Sequence, residues 1–150
     1  MNYPKYKVTQ NIDSQSFDFS SVSSKKTIHK KVIFTYIPDT DNAYNLALVD
    51  VIEDGLYDDL SVSNNNDLKE IIATVFYCIE LFLNQNSKSI VIFTGSSDSR
   101  TRLYRIAISN NLEVTQNFII KGFIDDDFEI FRPNRNYELF SIELKSKYSR

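Results

Sequence analysis

Leu68, Ile71, Ile72, Val75, Phe76, Ile79, Phe82 and Leu83 recur at i, i+3, i+4, i+7, i+8, i+11, i+14 and i+15. That spacing draws one continuous apolar stripe down an α-helix. A stripe of this length must be covered, and the segments around it have strand character, so the helix needs a sheet to lie on. The spacing predicts a helix over 67–84. Asn66 or Asp67 serves as its N-cap, with Asp67 and Glu70 placed favourably in the first turn, and Asn84 and Asn86 suit its end.

The segments before it read as strands spanning 5–62. Tyr6, Val8 and Phe17-Asp18-Phe19 alternate, and Val32 to Ile37 is β-branched and aromatic. Pro38 to Asn42 is a turn cluster, so Val32–Ile37 and Tyr44–Ile52 form a hairpin. Asp54-Gly55 turns the chain back through Leu56 to Val62. After the helix, 89–94 is a short apolar strand, and Ser97 or Asp98 caps a second helix over 98–110. Leu103, Ile106, Ala107 and Asn110 mark one side of that helix, and Asn110-Asn111 ends it in the left-handed conformation. A meander over 118–145 follows, with Phe140, Ile142 and Leu144 facing inward and Ser141, Glu143 and Lys145 facing water. The expected fold class is α+β: a twisted, antiparallel-dominated sheet of about six to eight strands carrying two amphipathic helices, with 1–150 as a single domain.

Composition narrows the chemistry. With one cysteine, Cys78, and one histidine, His29, no intramolecular disulfide can form and no zinc site of cysteine and histidine can be assembled. Cys78 falls on the apolar helix face as an inert thiol, and His29 reads as a surface strand residue among lysines. The start of the chain has no apolar secretory core, and no run approaches the length of a membrane span. A cytoplasmic protein is the expectation, and the asparagine, isoleucine and lysine bias points to a bacterial genome. The carboxylates Asp39, Asp41, Asp58, Asp59 and Asp125 to Asp127 do not form a recognisable ligand pattern, and no cofactor is expected. The net charge of −3 is segregated: six lysines in 1–31, nine carboxylates in 32–70, and all six arginines after residue 99.

One segment has the order of a site. From Thr94 to Arg105 a strand ends in Gly95, Ser96 and Ser97 and passes into a helix N-terminus, whose free N–H groups and dipole favour an anion. Arg100, Arg102 and Arg105 add charge. On a helical projection Arg100 points with the apolar side and Tyr104 beside it, while Arg102 and Arg105 point away. The structural alternative is that Arg100 pairs with Asp58, Asp59 or Asp98 and the other two arginines sit in water. The segment lacks the second glycine and the lysine of a nucleotide phosphate loop.

Tyr44-Asn45-Leu46, Asp58-Asp59, Ser63-Asn64-Asn65-Asn66-Asp67, Ala73-Thr74-Val75, Gly95-Ser96 and Arg100-Thr101-Arg102-Leu103-Tyr104-Arg105 together resemble an uncharacterised bacterial domain family, over about residues 43–145. Its pattern commonly has a glycine where Asn66 stands and a proline where Asp98 stands. The resemblance implies no activity, cofactor or substrate. Both polar clusters in it stand where a strand hands over to a helix. Parallel helices would therefore bring Asp58, Asp59, Asn64, Arg100 and Tyr104 into one neighbourhood.

Three functional readings follow. The leading one is a non-enzymatic module that binds a phosphate-bearing ligand, a nucleotide or a nucleic-acid backbone, through Ser96, Ser97, Arg100, Arg102, Tyr104 and Arg105, with Asn64, Asp58 and Asp59 nearby. A second is a protein-interaction or toxin-neutralising partner that uses the acidic middle third. The third is a metal-independent phosphate-ester hydrolase or nuclease at the arginine and tyrosine cluster.

Overall fold

A computed structural model of the chain describes residues 5–13, 15–51, 57–58, 67–95, 97–110 and 116–148. The strands are β1 (Thr9–Gln10), β2 (Ser16–Val22), β3 (Thr27–Tyr36), β4 (Ala43–Val51), β5 (Tyr57–Asp58), β6 (Ile90–Phe93), β7 (Phe118–Ile124), β8 (Asp127–Ile130) and β9 (Leu139–Leu144). The helices are α1 (Leu68–Gln85) and α2 (Asp98–Ser109), and a short 3-10 turn, Lys145–Tyr148, follows β9. Eight strands form one path, β1-β2-β3-β4-β6-β9-β7-β8, and β5 pairs with β4 beside it. All pairings are antiparallel except β4 with β6. The α+β class holds.

The parallel pair follows from α1. The chain leaves β4, passes through α1 and returns alongside β4 as β6, the crossover that parallel strands require. Ile71, Val75, Cys78, Ile79, Phe82 and Leu83 are buried, as the stripe demands. Phe82 stacks on Phe34 at 4.2 Å, and Phe76 meets Phe93 edge-on at 5.9 Å. Tyr104 of α2 approaches the same Phe93 ring at 5.4 Å, so both helices cover one face of the sheet. Short connections carry α1 into β6 and β6 into α2, which makes both helices run against β6. Among the described residues no helix covers the opposite face, and none is long and apolar enough to cross a membrane.

Several local expectations are corrected. Asp67 is the N-cap residue of α1, yet its side chain makes no cap hydrogen bond. It accepts instead from the Tyr6 hydroxyl at 2.5 Å and from the Ser21 hydroxyl. Tyr6 and Val8 are not in a strand; Tyr6 lies beside α1, its N–H donating to Thr74 Oγ1 at 2.9 Å. The buried row of α2 is Thr101, Tyr104 and Ile108, and Ile106 is 40% exposed. With about 100° per residue that row is centred about 70° from Arg100. Asn110 ends α2 with φ −81°, right-handed and not left-handed. The Asp54-Gly55 turn and Asn111 lie outside the described residues.

The C-terminal strands are not a meander in space. β9 lies between β6 and β7, with β8 at the sheet edge. The connection from β8 to β9 folds across β7, where a Cβ at Gly122 would lie 2.2 Å from the Tyr137 ring; only glycine admits that ring. Central placement also explains why Ser141 and Glu143 are 8% and 6% exposed instead of wet. Ile119 and Lys121 on β7, opposite Glu143 and Ser141, and Ile92 on β6, opposite Ser141, crowd them from either side.

Candidate functional site

Phe93 anchors the end of β6 in the core, and the next residues turn directly into α2. That turn is tight enough to need Gly95: a Cβ there would lie 2.3 Å from the Thr101 nitrogen. The junction is sewn by hydroxyls. Gly95 N–H donates to Thr101 Oγ1 at 3.0 Å, and that hydroxyl donates to the Ser97 carbonyl at 3.1 Å. Thr94 Oγ1 donates to the Glu138 carbonyl at 2.9 Å, tying the junction to the strand start of β9.

Ser97 caps α2 as expected, its Oγ accepting from the Arg100 N–H at 3.3 Å. The amides of Asp98 and Ser99 are left with no acceptor inside the helix, at the positive end of its dipole. Ser97 and Asp98 border a cleft of about 640 Å³. Its walls are Thr94, Gly95 and Ser97, the Arg102 and Arg105 side of α2, and Asn136 to Glu138 of the β8–β9 connection. Asp98 and Glu138 also reach it, so the wall carries both signs of charge.

The three arginines differ. Arg102 is exposed and makes no hydrogen bond or ion pair among the described residues. Arg105, which the structural alternative leaves in water, is half-buried, and its Nη1 donates to the Arg135 carbonyl at 3.3 Å and to Asn136 Oδ1. It flanks the buried row of α2 on the side opposite Arg100, so it can reach the loop without leaving the helix surface. Arg100 is also half-buried and borders a second, smaller cavity of about 170 Å³. Residues 45–48 of β4 and the buried Tyr104 complete that cavity, and Thr94 and Gly95 separate it from the larger cleft. Burial pushes the Tyr104 hydroxyl up to about 12, with the Arg100 charge pulling weakly the other way.

Among the described residues, the edge of β4 that faces away from β3 is paired with β6 over 43–45 and with β5 over 50–51. Crevices beyond the carboxyl ends of parallel strands are where open α/β sheets hold ligands. Asp58 stands on β5 opposite Asp50, farther along this edge. Asp59, Asn64 and Ser96 lie outside the described residues. Ser97, Arg102 and Arg105 are thus brought to one cleft, and Arg100 and Tyr104 to its neighbour.

Thr94, Thr101 and the stretch Asn136 to Glu138 were not among the expected residues. Gly122 was the available signal, since a glycine inside a strand marks close approach of another side chain. His29 is a strand residue as expected, on the face of β3 away from the helices, 2.9 Å from Asp18. No cluster of three or more potential metal ligands occurs among the described residues.

No curated protein and no solved structure matches this chain. A family model does, over residues 2–145, and it extends the resemblance through the N-terminal strands. The chain belongs to that family, DUF6934, a family of unknown function.

Proposed function

We propose that the chain is a binding module that takes a phosphate group, as part of a nucleotide or a nucleic-acid backbone, in the cleft at the N-terminus of α2. The observation that carries this is Arg102: an exposed guanidinium without a protein partner among the described residues, standing with the Ser97-capped helix start on a cleft of about 640 Å³. A volume of that order suits a mononucleotide. The guanidinium fork and the Asp98 amide, which no helix carbonyl takes, match phosphate oxygens. The Asp98 and Glu138 carboxylates on the same walls would repel a bare polyanion. They favour a ligand that also offers donors, such as ribose hydroxyls or a base amino group.

Binding, not turnover, is the better supported reading. Tyr104, the hydroxyl on which a hydrolase at this arginine cluster would rely, is buried in the core and pushed up to about 12, far from neutrality. The test is calorimetric titration with pyrophosphate, mononucleotides and a short single-stranded oligonucleotide at low salt. Salt-sensitive binding that is lost in Arg102→Ala is expected. No binding to any of the three at low salt contradicts the proposal.

A further inference from the structure

We propose that β8 is a self-association edge, through which two copies of this chain pair antiparallel about a two-fold axis at Glu129 and continue one sheet across both molecules. β8 ends the strand path, so its outer side has no strand partner among the described residues. The ladder shows which groups face outward. Phe131 N–H donates to the Ile120 carbonyl, so Glu129 and Asp127 take the inward positions against Gly122 and Ile124, and the N–H and C=O of Phe128 and Ile130 point away.

Natural edges are blunted by charge, proline or cover. β8 is short and carries Asp127 and Glu129, yet its helix-free face is apolar: Ile130 is 62% exposed and Phe128 39% exposed. Both project from the helix-free face, next to Phe123, whose ring lies 5.1 Å from that of Phe128. Glu129 projects from the other face and is already engaged, 2.9 Å from Arg135 Nε and accepting from the Tyr137 hydroxyl at 2.7 Å.

The charge pattern selects the partner and the register. The strand is preceded by Asp125 and Asp126, starts at Asp127, and is followed by the exposed Arg132. Side chains of one face must oppose each other across an antiparallel pair, and the outward backbone groups must meet. Three symmetric registers satisfy this, centred on 128, 129 or 130. Centring on 128 sets Asp127 against Glu129 of the second copy, and centring on 130 moves the acidic turn past Arg132. Centring on Glu129 sets Phe128 against Ile130 of the second copy and brings the acidic turn beside its Arg132, twice over. The two Glu129 carboxylates then meet, each held by its own Arg135. Two backbone bonds form directly, from Ile130 N–H to the Phe128 carbonyl of the other copy. Two more form once Asp127, whose carboxylate takes the Phe128 N–H at 2.8 Å, lets go.

The test is sedimentation equilibrium of the full chain from low to high micromolar concentration. A reversible rise toward twice 17.4 kDa is expected. Ile130→Lys should weaken it by about tenfold or more. Asp126→Arg and Arg132→Glu should each weaken it, and the two together should restore it. These side chains are exposed, so far-UV circular dichroism matching the parent chain is expected for every variant; because Asp126 has φ 62° in the β7–β8 turn, its charge effect is read from the recovery in the double variant, which turn strain does not produce. A monomer at all concentrations overturns the proposal. So does a dimer indifferent to Ile130→Lys, or one in which the two reversals add instead of compensating.

Discussion

Gly95 and Thr101 are held in a contact that no other residue at 95 allows. The Gly95 N–H donates to Thr101 Oγ1 at 3.0 Å, and a Cβ at 95 would lie 2.3 Å from the Thr101 nitrogen. The obstacle is backbone at the start of a helix, which cannot step aside as a flexible side chain can. Gly95→Ala is expected to destabilise the chain by about 1–3 kcal/mol in urea unfolding and to displace the cleft wall. Thr101→Val, which keeps the shape and removes the hydroxyl, should cost about 1 kcal/mol.

Asp67 gives up helix capping to hold the N-terminal segment. Its carboxylate receives the Tyr6 and Ser21 hydroxyls in a site where Asp67 itself is buried. Asp67→Ala leaves both hydroxyls without this acceptor and should cost about 1–3 kcal/mol. Limited proteolysis should then cut near Tyr6 much faster than in the parent chain. Equal cleavage rates would show that residues 5–10 are held by other contacts.

Lys30 and Asp50 form an ion pair at 2.5 Å under the helices, with side chains 5% and 12% exposed. Lys30→Ala takes this partner from a buried carboxylate and should cost about 3–5 kcal/mol. Lys30→Met combined with Asp50→Leu should recover much of that loss. A double-mutant cycle by chemical denaturation measures both.

Stability should fall in alkali through Tyr104 and Cys78. Burial raises each to about 12, from ordinary values of 10.0 and 9.0. Both groups are neutral when protonated, so their contribution is complete below about pH 9 and is lost as pH rises to about 12, where the folded groups ionise. Each can remove about 2–4 kcal/mol over that window. Tyr104→Phe should flatten the loss between pH 10 and 12 in denaturation curves. The Cys78 thiol should react with a thiol reagent at neutral pH only at the rate at which the chain opens.

What was legible in the sequence followed local periodicity. Eight apolar residues at helical spacing specify α1 whatever lies beneath it, and the turn residues at 38–42 specify the β3–β4 hairpin. The face of α2 was not legible because its apolar residues are spread around the helix, and Phe93 selects Tyr104 from among them. The place of β9 was hidden for a different reason. Alternation tells which residues share a face but not whether a strand is central, and central position is what buries Ser141 and Glu143. The cleft was half legible: Ser97 and Arg102 stand on a helix start that can be read directly, whereas Asn136 to Glu138 arrive from a distant loop.

Binding at the start of α2 is tested most directly by amide chemical shifts in a titration with a mononucleotide at low salt. The account predicts saturable shifts concentrated at 97–102 and 136–138, abolished in Arg102→Ala while the rest of the spectrum is unchanged. Shifts confined to other elements, or a response that survives Arg102→Ala, would contradict it.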